Sequence, residues 1–418
     1  MKTTPFIPGE TYVPVSGKVF DHHEIDNATK VAQDGWWTEG EFTKEFESKF
    51  KKFLGVRYVS LVNSGSSANL VALYSLSSPV FGQKALKKGD EFITAAVGFP
   101  TTVNPGIQFG LTPVFIDVNL KTLNMDVDKI EKAITPKTKL IMMAHTLGIP
   151  FDLEKVQHLA KKHNLWLIED SCDALGSTYN GQMVGTFGDI STYSFYPAHI
   201  ITMGEGGAII TNNPLINKSI RSFRDWGRDC WCAPGKDNTC GKRFKWKLGE
   251  LPEGYDHKYI YSHIGFNVKL TDFQAAIGVA QLDKLPGFIV ARKKNYKTLH
   301  AFLSKYPDYF QLIELSGKED PCWFGCPIIV KKDAPFSRND LTEYLEDHKI
   351  GTRNVFAGNL LRHPAYTSLK QKRIVGTLDN ADIIMNQAFW MGVYPGIQEE
   401  QMRYVLDILT LFLSKYDH

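Results

Sequence analysis

The sequence predicts an α/β protein in two parts. Residues 1–285 form a large domain with a mainly parallel sheet between helices, and residues 286–418 a small C-terminal α+β domain. Three observations carry this expectation. Short apolar runs alternate with amphipathic segments over the first two thirds of the chain. The pattern changes near residue 270, and 418 residues are more than one domain usually holds.

In order, RYVSLVNS (57–64) reads as a buried strand and SANLVALYSL (67–76) as the helix that follows it. DEFITAAV (90–97), TPVFIDV (112–118), TKLIMMAH (138–145), LWLIED (165–170) and GAIIT (207–211) are further strands. Helical segments such as LEKVQHLAKKH (153–163) lie between some of them. Near-continuous apolar strands separated by helices imply a sheet covered on both faces. In TDFQAAIGVAQLDKL, Thr271 and Gln274 have capping-box spacing, so a helix starts there. Pro286 is expected to interrupt it before KKNYKTLHAFLSKY resumes. CWFGCPIIV, SRNDLTEYLEDHK and EEQMRYVLDILTLFLSKY then supply the strand and helices of the small domain.

Composition narrows the function classes. With 43% hydrophobic and 22% charged residues the chain is ordinary globular stock, neither disordered nor collagenous. Lys+Arg 48 against Asp+Glu 45 gives +3, which does not argue for a nucleic-acid partner. The N-terminus lacks the apolar core of a signal peptide, and no run approaches eighteen apolar residues, so no membrane association is expected. A cytoplasmic protein with reduced thiols is the expectation. Six cysteines are too sparse for a disulfide scaffold, yet three fall between Cys230 and Cys240, in an insertion of about residues 226–262.

Two places look built for a ligand. Asn63-Ser64-Gly65-Ser66-Ser67-Ala68-Asn69 joins a strand to a helix. Small residues there let backbone N–H groups at the helix N-terminus approach a phosphate, with Ser66 and Ser67 as hydroxyl donors. A bland strand–helix turn has the same composition. Asp170 ends the LWLIED strand, where open parallel sheets place ligands. Its carboxylate suits a protonated pyridine nitrogen, or equally a helix cap.

WWTEGEFTKEFESKF, NSGSSANL, GFPTTVNP, EDSCDALGS, STYSFYPAHIITMGEGG and GFNVKLTDFQAAIG together resemble, in order and spacing, the DegT/DnrJ/EryC1-type sugar aminotransferases. These are fold-type-I pyridoxal phosphate enzymes acting on nucleotide-linked keto-sugars. The resemblance implies that Ser66, Ser67 and Ser194 contact the cofactor phosphate, Phe99 stacks on its ring and Asp170 pairs with its nitrogen. It implies that Asn267 reaches the phosphate of the other subunit, hence a homodimer. Asp173 stands where the family often has Gln or His near the ring hydroxyl.

The family's lysine after SFYPA is here His199. Imidazole cannot hold the cofactor in a Schiff base, so transamination by a tethered pyridoxal is excluded, but it can move protons near neutrality. Within the resemblance this fits the 3-dehydratases of 4-keto-6-deoxy sugars. In those, pyridoxamine 5'-phosphate is held without a covalent bond, its amine condenses with the C4 ketone, and the histidine removes a proton so that the C3 hydroxyl leaves. A dead enzyme is the bland alternative.

Cys172, Cys230, Cys232 and Cys240 give C-x57-C-x-C-x7-C. Four thiolates suit a structural zinc or a [2Fe–2S] cluster, and spacing alone does not decide. Cys172, two residues from Asp170, would bring such a centre within electron-transfer reach of the cofactor. This pattern and DWGRDCWCAPGKDNTCGKRF resemble the iron–sulfur 3-dehydrases of 3,6-dideoxyhexose biosynthesis, a route to lipopolysaccharide O-antigen. Their usual substrate is CDP-4-keto-6-deoxy-D-glucose, and a flavin/iron–sulfur reductase supplies the electrons. The rivals are a cluster-free dehydratase of a GDP-linked sugar, which needs none of the four cysteines, and a non-catalytic cofactor-binding protein with structural zinc. Trp226, Trp231 and Trp246 could shield the centre, and His257 and His263 could donate hydrogen bonds near it; packing explains each as well. Cys322 and Cys326 read as core positions.

Overall fold

The computed structural model describes residues 5–230, 232 and 235–416. Its centre is an eight-stranded sheet in the order Tyr58–Val62, Gly207–Thr211, Ile190–Ser194, Trp166–Asp170, Thr138–Ala144, Glu91–Ala95, Thr112–Ile116, Arg373–Val375. All neighbours run parallel except Gly207–Thr211, which is antiparallel to both of its partners. The expected strands are therefore present and mainly parallel. Side chains such as Phe92, Phe115, Leu140 and Ile168 are fully buried, as strands covered on both faces require.

Ile190–Ser194 is a central strand that apolar patterning does not reveal. Its hydroxyl side chains are buried but paired: Thr192 donates to Asn69 at 2.6 Å and Ser191 to the Glu169 carbonyl at 2.9 Å. Hydrogen bonding removes the desolvation cost that otherwise keeps such residues out of a core.

The remainder forms a four-stranded antiparallel sheet, Phe310–Gln311, Gly325–Val330, Ala388–Gly392, Thr352–Asn354, with the helices Arg338–Asp347 and Glu399–Leu413. Cys322 and Cys326 are buried there among apolar side chains.

Two features cross the expected division at residue 285. Helix Asp272–Leu303 runs through Pro286 without a break, correcting the expected interruption. Burial of Leu285 and Phe288 on either side, with Arg292 two turns on, holds the helix together where the proline removes one backbone bond. Its start is as expected, with the Thr271 N–H donating to Gln274 Oε1 at 2.7 Å. The second feature is Arg373–Val375, which leaves the C-terminal part to pair with the edge of the large sheet. Among the described residues no helix is long and apolar enough to cross a membrane.

Candidate active site and cysteine loop

The site lies where the parallel strands end. Helix Gly65–Ser75 starts there, with Ser64 Oγ accepting from the Ser67 N–H at 3.1 Å. Gly65 is required by close approach: a Cβ would lie 2.5 Å from Ser194 Cβ and 3.1 Å from Cys172 Sγ. The glycine thus lets the helix N-terminus, Ser66, Ser67 and Ser194 close on one point, and an N-terminus with hydroxyl neighbours suits a phosphate. Phe99 precedes helix Pro100–Phe109 and leaves half of its ring exposed, edge-on to Phe356 at 6.1 Å.

Asp170 ends its strand almost fully buried. Oδ2 accepts from Asn69 at 2.8 Å and Thr102 at 2.6 Å, and Oδ1 from the Cys172 N–H at 3.2 Å. This donor set orients a carboxylate on the floor of the site, as a cationic ring nitrogen needs. Asn69 and Thr102 were not singled out from the sequence. Asn69 lies four residues after Gly65, one helical turn below it, and that spacing is the signal that could have found it. Below Asp170, Glu169 is wholly buried and accepts from the N–H groups of Gly185, Phe187 and Gly188, facing His145 Nε2 at 3.1 Å.

His199 sits on the turn after the Ile190–Ser194 strand, and its Nδ1 is 3.6 Å from Asp173 Oδ1. Burial lowers the imidazole to about 4, with Asp170 pulling it up and Arg292 pushing it further down. Burial likewise raises Asp173 to about 8, helped by the Asp170 charge and opposed by the Leu147 N–H and Arg292. At neutral pH this gives a neutral base beside a largely protonated carboxyl group. Arg292, also not singled out from the sequence, is buried and donates to the carbonyls of Trp323 and Phe324 at 3.1 Å and of His199 at 3.2 Å. It fixes the histidine turn against the C-terminal part.

Asn267 is exposed, bridges to Asp225 and accepts from Lys269 Nζ at 2.9 Å. Among the described residues no hydrogen bond joins it to Ser66, Ser67 or Ser194 of its own chain.

The cysteine loop leaves helix Pro214–Arg224 and returns to helix Asp272–Leu303. Its base is closed by the bridges Asp225–Asn267 and Arg228–Tyr261. At Gly227, with φ +82°, a Cβ would meet the His263 carbonyl oxygen at 1.8 Å, so only glycine fits. His263 ties the loop to the body, between Ser78 Oγ at 2.8 Å and Ser222 Oγ at 2.7 Å.

Of the four cysteines expected to form one ligand set, three lie on the loop and Cys172 lies at the end of the Trp166–Asp170 strand. The ligand atoms of Cys230, Cys232 and His257 lie within 4.8 Å of one another, and Cys240 Sγ is 3.7 Å from His257 Nε2. The Cys172 thiol packs under Gly65 beside Asp170. Burial first, then the Asp170 and Asp173 carboxylates, push that thiol well up. Cys232 differs: desolvation is outweighed by hydrogen bonds from Thr239 and neighbouring groups, and the thiol falls to about 6. Trp246 meets the His257 ring edge-on at 4.8 Å, Trp226 is exposed, and Trp231 lies outside the described residues.

Known proteins resemble this chain over most of its length. The lipopolysaccharide biosynthesis protein RfbH of Salmonella typhimurium is 56% identical over 410 residues, 98% of this chain and 94% of that protein. The dTDP-4-dehydro-2,6-dideoxy-D-glucose 3-dehydratase of Saccharopolyspora spinosa is 49% identical, over 98% and 88% of the two chains. Among solved structures, the Escherichia coli GDP-4-keto-6-deoxy-D-mannose-3-dehydratase with bound hydrated PLP superposes with a TM-score of 0.85 at 30% identity, covering 96% of this chain and all of that one. The DegT/DnrJ/EryC1/StrS aminotransferase family matches residues 19–410, and the chain belongs to that family, with its fold-type-I aminotransferase architecture.

Proposed function

We propose that the protein is a 3-dehydratase of a nucleotide-linked 4-keto-6-deoxyhexose, using pyridoxamine 5'-phosphate and a [2Fe–2S] centre. The observation that carries this is His199, a neutral buried imidazole standing at the lysine position in a site whose phosphate turn and carboxylate floor are intact. When bound, pyridoxamine phosphate would supply a primary amine to condense with the C4 ketone and a ring able to hold the electron pair left by proton removal and pass it toward C3. The chain's own groups do the rest. Ser66, Ser67 and Ser194 bind the phosphate, Phe99 covers one ring face, and Asp170 fixes the ring nitrogen. His199 accepts the proton whose removal drives loss of the C3 hydroxyl, and Asp173 stands 3.6 Å from its Nδ1 as a largely protonated acid.

Net C3 deoxygenation consumes two electrons and two protons and releases one water. None of these groups supplies electrons, so the cysteine loop is read as the entry point. Cys230 lines a surface cavity of about 820 Å³ together with Lys218, Arg221 and Arg228, a basic approach suited to an acidic flavin/iron–sulfur reductase. Asn267 on its exposed return segment favours a homodimer in which it serves the partner's site. The 56% and 49% identical relatives, named for lipopolysaccharide biosynthesis and for a 3-dehydratase, support the reaction class, and a 3,6-dideoxyhexose product rests on the motif resemblance. CDP-4-keto-6-deoxy-D-glucose is the proposed substrate, on the motif resemblance.

Side-by-side assays with CDP-, GDP- and dTDP-4-keto-6-deoxyhexoses and a reductant test this reading. Loss of the C3 hydroxyl from the CDP sugar, abolished in His199→Ala, is the expected result. Undiminished dehydration in His199→Ala would overturn the base assignment. Turnover of only the GDP or dTDP sugar would overturn the CDP assignment.

A further inference from the structure

We infer that Phe356, on the turn after strand Thr352–Asn354, is a specificity-determining residue that reads the C6 methyl group of a nucleotide-linked 6-deoxyhexose. The inference deepens the reading above and rests on it for the sugar and for the roles of Phe99 and His199. His199, Phe324, Phe356 and Phe99 form a continuous series of rings. Phe324 lies 5.2 Å from the His199 imidazole, Phe356 lies 6.3 Å from Phe324, and Phe99 is edge-on to Phe356 at 6.1 Å. Phe324 is buried, Phe356 partly buried and Phe99 half exposed, so the series runs from the core to the open side of the site.

The turn is built to hold the Phe356 ring in place. Phe356 has φ +47°, a conformation that bulky side chains rarely adopt and that persists only where the surroundings impose it. The Leu360 N–H donates to the Ala96 carbonyl at 3.0 Å and the Ala357 N–H to the Gly98 carbonyl at 3.4 Å, while Val97 and Asn359 form a β-bridge. Val97 lies two residues before Phe99, so the turn and that aromatic are fastened as one unit. His363 Nε2 donates to the Ala357 carbonyl at 2.6 Å, and Asn359 Nδ2 to Asp382 Oδ1 at 2.8 Å. At Gly358, with φ +56°, a Cβ would lie 2.8 Å from Met385 Cα, which pins the far side of the turn. Asparagine or glycine would adopt the backbone of residue 356 at lower cost. The phenyl ring is therefore kept against a local penalty, as at a ligand clamp.

The functional reading sets the reacting sugar carbons between Phe99 and His199. Most edges of a hexose carry hydroxyl groups, which a wall of phenyl rings would leave unpaired. The C5–C6 edge of a 6-deoxyhexose, next to the C4 ketone, ends in a methyl group instead. Phe324 and Phe356 offer no hydrogen-bonding group, so this is the edge they fit. An apolar pocket rejects an analogue that adds a hydroxyl by about 100-fold.

Calorimetric titration of the pyridoxamine-phosphate-loaded protein tests this. The probes are CDP-6-deoxy-D-glucose and CDP-D-glucose, with the corresponding dTDP pair alongside. None of these has a ketone, so binding is read without turnover or electron supply. The 6-deoxy sugar should bind about 10- to 100-fold more tightly than its 6-hydroxy partner. Phe356→Asn suits the positive φ and offers C6–OH a hydrogen bond, so it should narrow that ratio about 10-fold while leaving pyridoxamine phosphate affinity unchanged. Phe356→Leu keeps an apolar wall and should keep the preference. No 6-deoxy preference in the wild type, or an unchanged ratio in Phe356→Asn, would overturn the inference and leave the dehydratase reading standing. A preference within the dTDP pair alone would support the inference and remove the CDP assignment. Binding of neither pair would overturn the inference, and the dehydration assays above would then judge the functional reading separately.

Discussion

Asp173→Asn should stabilise the cofactor-free protein at neutral and alkaline pH, and do so progressively less as the pH falls. The Asp173 side chain is 13% exposed and its carboxyl stands at about 8 in the folded chain, against an ordinary value of 3.8. Unfolding therefore releases a proton at any pH between these values. Stability from this group is complete below about 4 and is lost as pH rises through about 8, at roughly 1.4 kcal/mol per pH unit. Asparagine carries no such dependence, and its amide oxygen can keep the bond from the Leu147 N–H. Between pH 5 and pH 7 the variant should thus gain about 3 kcal/mol on the wild type. For a chain longer than 250 residues that is on the order of 3–6 °C in melting temperature. Comparing the two proteins in buffers from pH 5 to 9 isolates the residue, because every other titrating group is shared. A melting-temperature difference constant across that range would refute the reasoning, as would one that shrinks while pH rises from 5 to 7. Activity should move the other way, since the proton on Asp173 is lost to the reaction in the asparagine variant.

Three further outcomes follow from the same geometry. In the cofactor-free protein the His199 ring should titrate near pH 4 by NMR, and Asp170→Asn should lower that midpoint because it removes the charge that pulls it up; a midpoint near 6.5 would contradict the buried placement. Gly65→Ala forces a Cβ to within 2.5 Å of Ser194 and should cost about 1–3 kcal/mol, weakening pyridoxamine phosphate about 5- to 150-fold in a fluorescence titration; unchanged affinity would remove this turn from the phosphate site. Gly227→Ala collides with the His263 carbonyl and should lower iron uptake on reconstitution while leaving cofactor affinity near wild type; full iron uptake would show that the base of the loop does not position its ligands.

The parts of the fold legible in the sequence are those in which burial and apolar composition coincide. Strands such as Trp166–Asp170 announce themselves because both faces are covered. Ile190–Ser194 does not, since Ser191, Thr192 and Ser194 are buried hydroxyl residues beside Ile190 and Tyr193, and Ser191 and Thr192 are satisfied by hydrogen bonds. Pro286 misleads for a related reason: local propensity argues for a break, and the tertiary packing of Leu285 and Phe288 overrides it. In the site, motif residues such as Ser66, Asp170 and His199 are visible by position, while Asn69, Thr102 and Arg292 act through contacts spanning 68 to 101 residues of separation. The cysteine spacing gave a count of thiols without their location. Spacing cannot tell that the loop folds back on His257, because that return depends on the Arg243–Asp256 pair.

The two halves of the proposed chemistry meet through the feet of the loop. Arg224 at its start is buried, donates to the Leu61 carbonyl at 2.9 Å and pairs with Glu39 at 2.7 Å. At its end the Val268 carbonyl accepts from the Asn63 N–H at 2.8 Å. Leu61 and Asn63 flank the end of the strand that opens into the phosphate turn. Both feet of the cysteine loop are therefore fastened to the segment that would grip the cofactor. A buried ion pair is costly to break on one side, so this attachment is rigid. The loop is consequently held in fixed register with the cofactor site by these contacts.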